Sequence, residues 1–165
     1  MFSIGDKVVY PRQGIGIIDS MEKQEFCGEL QTYYKIKFID NSLEIMLPSS
    51  RLESANIRLL SDSSTLDHVL ENIHEFAGDL NDLYGCSLKE RMVKNSVKFN
   101  SGTLKDYIEV LCNLTEINKE HSLNSSEKQM LNNTKSFLID EIRLVKDIPA
   151  TKATNILNES ISSIQ

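Results

Sequence analysis

The hydrophobic period of this chain changes once, near residue 60. Before that point apolar residues recur at every second position. In "QTYYKIKFI", Tyr34, Ile36 and Phe38 fall on one face and Tyr33, Lys35 and Lys37 on the other. "LEIML" repeats the alternation with Leu43, Ile45 and Leu47. After "SDSS" at 61–64 the recurrence is helical. Leu66, Val69, Leu70 and Ile73 follow one another at helix spacing, and so do Leu104, Tyr107, Ile108, Leu111 and Leu114. A helix-period segment does not settle as a strand, nor the reverse, so two structural classes share the chain.

Turn residues divide the first part into short strands: Pro11 to Gly14, Cys27-Gly28, and Asp40-Asn41-Ser42. Five strands in about sixty residues predict a small, strongly bent β-barrel of the SH3 or Tudor type over residues 1–60. Gly14 and Gly16 suit a turn and a bulge. A helical domain is predicted over residues 65–165. Its helix starts are read at Ser64-Thr65-Leu66-Asp67, at Ser87-x-x-Glu90, after the "SGT" break at 101–103, at Asn124-x-x-Glu127 and near Pro149. The expected fold is α+β, a five-stranded barrel followed by a compact bundle of about five helices.

Lys and Arg number 18 against 24 Asp and Glu, for a net charge of -6. That balance argues against a general nucleic-acid binder. The chain shows no signal-peptide pattern, and no apolar run approaches the roughly 18 residues of a membrane span. A cytoplasmic protein without a membrane partner is expected. Cys27, Cys86 and Cys112 are scattered, as in a reduced compartment. No phosphate-loop lysine, dinucleotide glycine motif, zinc motif or nucleophile elbow is present. His68, His74 and His121 lack ligand spacing. No catalytic residue, metal, cofactor or small-molecule ligand is therefore expected. One segment runs against the acidic balance. In "KERMVKNSVK", Lys89, Arg91, Lys94 and Lys98 oppose Glu90, and Arg91, Lys94 and Lys98 share one helical stripe. Such a stripe fits phosphate contact, and it fits an ordinary solvated helix face.

"GDKVVYPRQGIGII" at 5–18 resembles the start of the CarD/CdnL family of bacterial transcription regulators. The same Gly-Asp-x-Val-Val and Gly-x-Gly pattern occurs in the RNA polymerase-interaction module of transcription-repair coupling factors. "GELQTYYKIKF", "LEIMLPSSRLE" and "IRLL" resemble the family's later strands and short helix. "SG" at 101–102 and "LNSSEKQML" at 123–131 resemble its helix break and penultimate helix start. The resemblance implies a Tudor-like domain docked on the protrusion lobe of the RNA polymerase β subunit. It also implies a helical domain that reaches promoter DNA at the upstream edge of the bubble and modulates open-complex stability. A protein-interaction adaptor that never contacts DNA is the alternative. Polymerase contact is implied at Gln24, Met46 and Leu47; Gln24 and Met46 stand where relatives carry arginines. DNA contact is implied at Leu88, where many relatives place a tryptophan wedge, and at Lys89, Arg91, Lys94 and Lys98. Leu88 also lies four residues before Met92 and fits a core position equally well.

Overall fold

The computed structural model describes residues 1–164. It divides into two compact units, Met1–Leu60 and Ser61–Gln165. The first unit holds β1 (Lys7–Tyr10), β2 (Gly14–Phe26), β3 (Glu29–Phe38), β4 (Glu44–Pro48) and β5 (Arg58–Leu59). They form one antiparallel sheet in the order β4-β3-β2-β1-β5, the five-stranded unit expected from the alternation. Pairing of Ile18 with Ile36 and of Tyr34 with Leu47 gathers one face of each strand. Val8, Ile18, Tyr34, Ile36, Phe38, Leu47 and Ile57 make the core.

Gly16 is required by proximity. A Cβ there would lie 2.5 Å from the Ile36 Cγ2 atom, so glycine lets β2 approach β3. The register shift comes later, between Ile18 and Ser20, and not at Gly16. The β2–β3 hairpin closes on the pair Phe26–Glu29 through Cys27 (φ 52°) and Gly28 (φ 81°). Both turn residues are left-handed, as the right-handed strand twist demands of a two-residue loop. From Met21 to Phe26 every residue of β2 is exposed, so the hairpin leaves the core as a two-stranded ribbon.

The second unit holds α1 (Ser63–Glu71), α2 (Leu80–Gly85), α3 (Leu88–Ser101), α4 (Leu104–Glu120), α5 (Ser125–Lys146) and α6 (Ala150–Ser162). There are six α-helices among the described residues, one more than the periodicity suggests. The added one is α2, whose six residues are too few to print an apolar stripe. Its start is fixed by Asp79, whose side chain accepts from the Asn81 N–H at 2.9 Å. The cap of α1 also differs from expectation. Asp62, and not Ser64, accepts the Thr65 N–H at 2.7 Å.

Helix α4 is the hub of this unit. Tyr107, Ile108, Val110, Leu111, Cys112, Leu114 and Ile117 are buried around most of its circumference. Phe99 of α3, Tyr107 of α4 and Phe137 of α5 meet with ring centroids 5.8 to 5.9 Å apart. Such contacts add to the area they bury and fix α3 against its neighbours. Gly102, at φ 70°, ends α3 in the left-handed conformation that glycine adopts without strain. Among the described residues no helix is long and apolar enough to cross a membrane. Nor do they contain a group of three or more His, Cys, Asp or Glu able to hold a metal ion.

Candidate functional site

Strand β4 lies at one end of the sheet order, so one of its edges is open in the sheet. The ladder determines what that edge presents. The Phe38 N–H donates to the Leu43 carbonyl at 3.1 Å, making Phe38–Leu43 a hydrogen-bonded pair. Alternation along the antiparallel ladder makes Ile36–Ile45 and Tyr34–Leu47 hydrogen-bonded as well. The backbone groups of Ile45 and Leu47 are thus directed to β3. Those of Glu44 and Met46 point to the open side. Pro48 has no N–H and closes the edge.

The same period sorts the side chains. Gln24 pairs with Gln31 and Met46 with Lys35, which puts Gln24 and Met46 on one outer face of the sheet. Met46 is 39% exposed. Leu47 does not join them. Its side chain is in the core at 8% exposure and its backbone is used by β3, so neither part is offered to a partner. The cause is the one-residue offset from Met46, which reverses both directions at once. Beside Met46, the Glu44 carboxylate accepts from Lys35 at 3.1 Å and raises the pKa of that lysine. Lys37 reaches Asp19 at 3.1 Å. Glu44 lies at the head of the strand, and a single carboxylate there carries no pattern in the sequence.

In the helical unit, the start of α3 is built by a reciprocal cap. The Glu90 N–H donates to the Ser87 hydroxyl at 3.2 Å, and the Ser87 N–H donates to the Glu90 carboxylate at 2.8 Å. The Ser87 backbone N–H is the main reason the Glu90 carboxyl titrates below its usual range. Leu88 follows as the first helical residue and is 47% exposed. Helical side chains tilt toward the N-terminus, so a first-turn residue reaches past the end of the packed helix. This places Leu88 outside the core, although it points along the same side of α3 as buried Phe99. Lys89 beside it is exposed and makes no ion pair among the described residues. Val93 and Val97, four residues apart, form an exposed apolar strip on another side of α3. Their i, i+4 spacing is the sequence signal of this strip.

Each cation of the basic stripe is paired with an acid. Arg91 Nε donates to Glu127 Oε1 at 2.7 Å, with the two side chains 13% and 1% exposed. Lys94 pairs with Asp82 at 3.1 Å, and Lys98 pairs with Glu109. The acids come from α5, α2 and α4, so each cation ties α3 to a different neighbour. Glu127 serves twice, since it also accepts the Asn124 N–H in the cap of α5. Arg91, Lys94 and Lys98 are therefore each engaged by an acid of a neighbouring helix, Arg91 nearly buried and Lys94 half exposed. The sequence places three cations on one face, but only tertiary structure shows that three acids face them.

Comparison with known proteins covers both units. Residues 2–61 match the family description "CarD-like/TRCF RID domain", and residues 81–158 match "CarD, C-terminal domain". "Putative transcription factor YdeB" of Bacillus subtilis is 38% identical over 148 residues, covering 90% of this chain and 94% of the relative. The solution structure of the 72-residue N-terminal domain of Myxococcus xanthus CarD aligns with 36% of this chain and 79% of its own length. That alignment has 24% identity and a TM-score of 0.32.

Proposed function

This chain belongs to the CarD family, and from that premise we propose that it is a non-enzymatic transcription factor that binds RNA polymerase. The RID description over residues 2–61 and the transcription-factor relative support the polymerase-linked role. In the finer reading, residues 1–60 dock on the protrusion lobe of the β subunit. The helical unit then meets promoter DNA at the upstream bubble edge and changes the stability of the open complex. The observation that carries the docking reading is the open edge of β4, with the backbone of Glu44 and Met46 directed outward. An added strand from the partner gains main-chain hydrogen bonds there, and Met46 supplies an apolar contact on the outer face. Where relatives carry arginines, this chain has Gln24 and Met46. Its docking thus rests on backbone pairing and apolar contact more than on charge.

Docking also accounts for how a chain of net charge -6 works beside DNA. Tethering to polymerase raises its local concentration at the promoter, so a small contact suffices. Leu88 and Lys89, exposed at the start of α3, make that contact. The test is titration of the full chain onto polymerase and onto the isolated β protrusion. Met46→Pro removes one outward N–H and leaves the β3–β4 ladder bonds in place. Binding is expected to weaken about tenfold or more, the equivalent of one lost hydrogen bond together with the lost Met46 side-chain contact. Unchanged affinity would contradict the edge assignment. A second reading, an adaptor that binds polymerase without touching DNA, is favoured by the internal pairing of Arg91, Lys94 and Lys98. The two readings part on open-complex lifetime, which an adaptor leaves unchanged.

A further inference from the structure

Helix α3 is anchored unevenly. Of its 14 residues only Asn95 and Phe99 are buried, and both lie in its second half. Phe99 meets the rings of Tyr107 and Phe137 there, so that half is held by apolar packing. Residues 88–94 contain no buried side chain. The first two turns therefore lack an apolar anchor, and these turns carry the exposed Leu88 and Lys89.

Two ion pairs reach these turns. Lys94 and Asp82 are both half exposed or more, and a pair in water contributes little. The bond from Arg91 Nε to Glu127 Oε1 is 2.7 Å long and withdrawn from solvent, with Glu127 1% exposed. Glu127 is the third residue of α5, and its second oxygen accepts the Asn124 N–H at 3.3 Å. One carboxylate thus closes the cap of α5 and, through Arg91, holds the beginning of α3. Between the two helix starts lies an open groove of about 540 Å³, with Leu88, Lys89 and Met92 on one side and Asn124 and Ser126 on the other. Stability alone does not call for such a pair, since apolar side chains of similar volume often serve as well. What the pair adds is direction, because a charge-assisted hydrogen bond is short and geometrically specific.

We infer, resting on the promoter reading of Leu88 and Lys89, that Glu127 is a positioning residue for DNA contact. Through Arg91 it sets the start of α3 against the start of α5, and so holds Leu88 and Lys89 where they meet the promoter. Glu127 is buried and makes no contact with DNA itself. Its carboxylate is matched to this task in two ways. Two oxygens serve two donors on different helices, which a single amide oxygen does not do. Its charge also keeps the Arg91 guanidinium inside the fold, where an unpaired cation would leave for water.

The test exchanges the pair for apolar side chains, Arg91→Met together with Glu127→Leu, in the full-length chain. Thermal melting, polymerase affinity and open-complex lifetime over a salt series are compared with wild type at saturating protein. The exchanged chain should melt close to wild type and bind polymerase equally well. Its effect on lifetime should shrink at least to that of Leu88→Ala. Lys89→Ala should lower the log-log salt slope by about 0.9 in the wild-type background and leave it unchanged in the exchanged one. A purely stabilising pair does not alter that difference. Glu127→Gln, assayed below its melting temperature, covers the case in which the exchanged chain fails to fold, and should show a smaller Lys89 contribution than wild type. A folded variant of either kind with the full lifetime effect and the full Lys89 contribution overturns the inference and leaves the promoter reading standing. A wild-type chain that binds polymerase without altering the lifetime overturns both.

Discussion

Leu88 and Arg91 are three positions apart on one helix and have opposite fates. Leu88 reaches past the first turn and is half exposed, so Leu88→Ala is expected to cost less than about 0.5 kcal/mol in a thermal melt, as at an ordinary surface site. A core leucine would cost about 2–5 kcal/mol. The same variant should reduce the effect of the protein on open-complex lifetime, because apolar side chains wedge between base steps. Leu88→Trp should enlarge that effect, since aromatic stacking on a base contributes about 1–3 kcal/mol. A normal melt with an unaltered lifetime for both variants would remove Leu88 from the DNA-facing role. Arg91 is the reverse case. Arg91→Ala leaves the Glu127 carboxylate buried without its cation and should cost roughly 3–5 kcal/mol in denaturant unfolding. Lys94→Ala, where the partners are half or more exposed, should cost less than about 1 kcal/mol. Equal losses at the two sites would contradict the buried pairing of Arg91 with Glu127.

At the scale of elements, β4 and α3 each have one face committed to the fold and one left open. On β4 this division is testable by proline. Met46→Pro should spare the fold and impair polymerase binding, whereas Ile45→Pro breaks a bond to β3 and should lower the melting temperature. On α3, Lys89→Ala should lower the log-log salt slope of promoter-complex stabilisation by about 0.9, one duplex phosphate contact. Acid acts on the caps. The Glu90 and Asp62 carboxyls are both held below their usual values by hydrogen bonds from the backbone N–H groups of Ser87 and Thr65. Depressed carboxylates contribute stability above their unfolded values and lose it as pH falls through the folded ones. Helical signal monitored by circular dichroism should therefore fray at the starts of α3 and α1 below the usual carboxylate range, and stay level toward neutral pH. Much of this was legible in the sequence. Alternation in "YYKIKF" gave the sheet and its core face, and Ser87-x-x-Glu90 and Asn124-x-x-Glu127 marked two helix starts. Three features were not legible, two because they depend on a partner distant in sequence and one because of its length. Asp82, Glu109 and Glu127 neutralise the stripe, β3 uses the backbone of Leu47, and α2 is too short to carry a period.

At the scale of the whole chain, the sheet unit offers an edge and the helical unit offers an apolar helix start with one free lysine. Each is modest alone, and the proposed function requires both on one polymerase. The most direct measurement is the lifetime of a promoter open complex on the cognate RNA polymerase, challenged with competitor, at saturating full-length protein. The wild-type chain should change that lifetime, Leu88→Ala should change it less, and Met46→Pro should need about tenfold or more protein for the same change. A lifetime identical with and without the wild-type protein, under conditions where binding to polymerase is demonstrated, would contradict a role at the promoter and leave the adaptor.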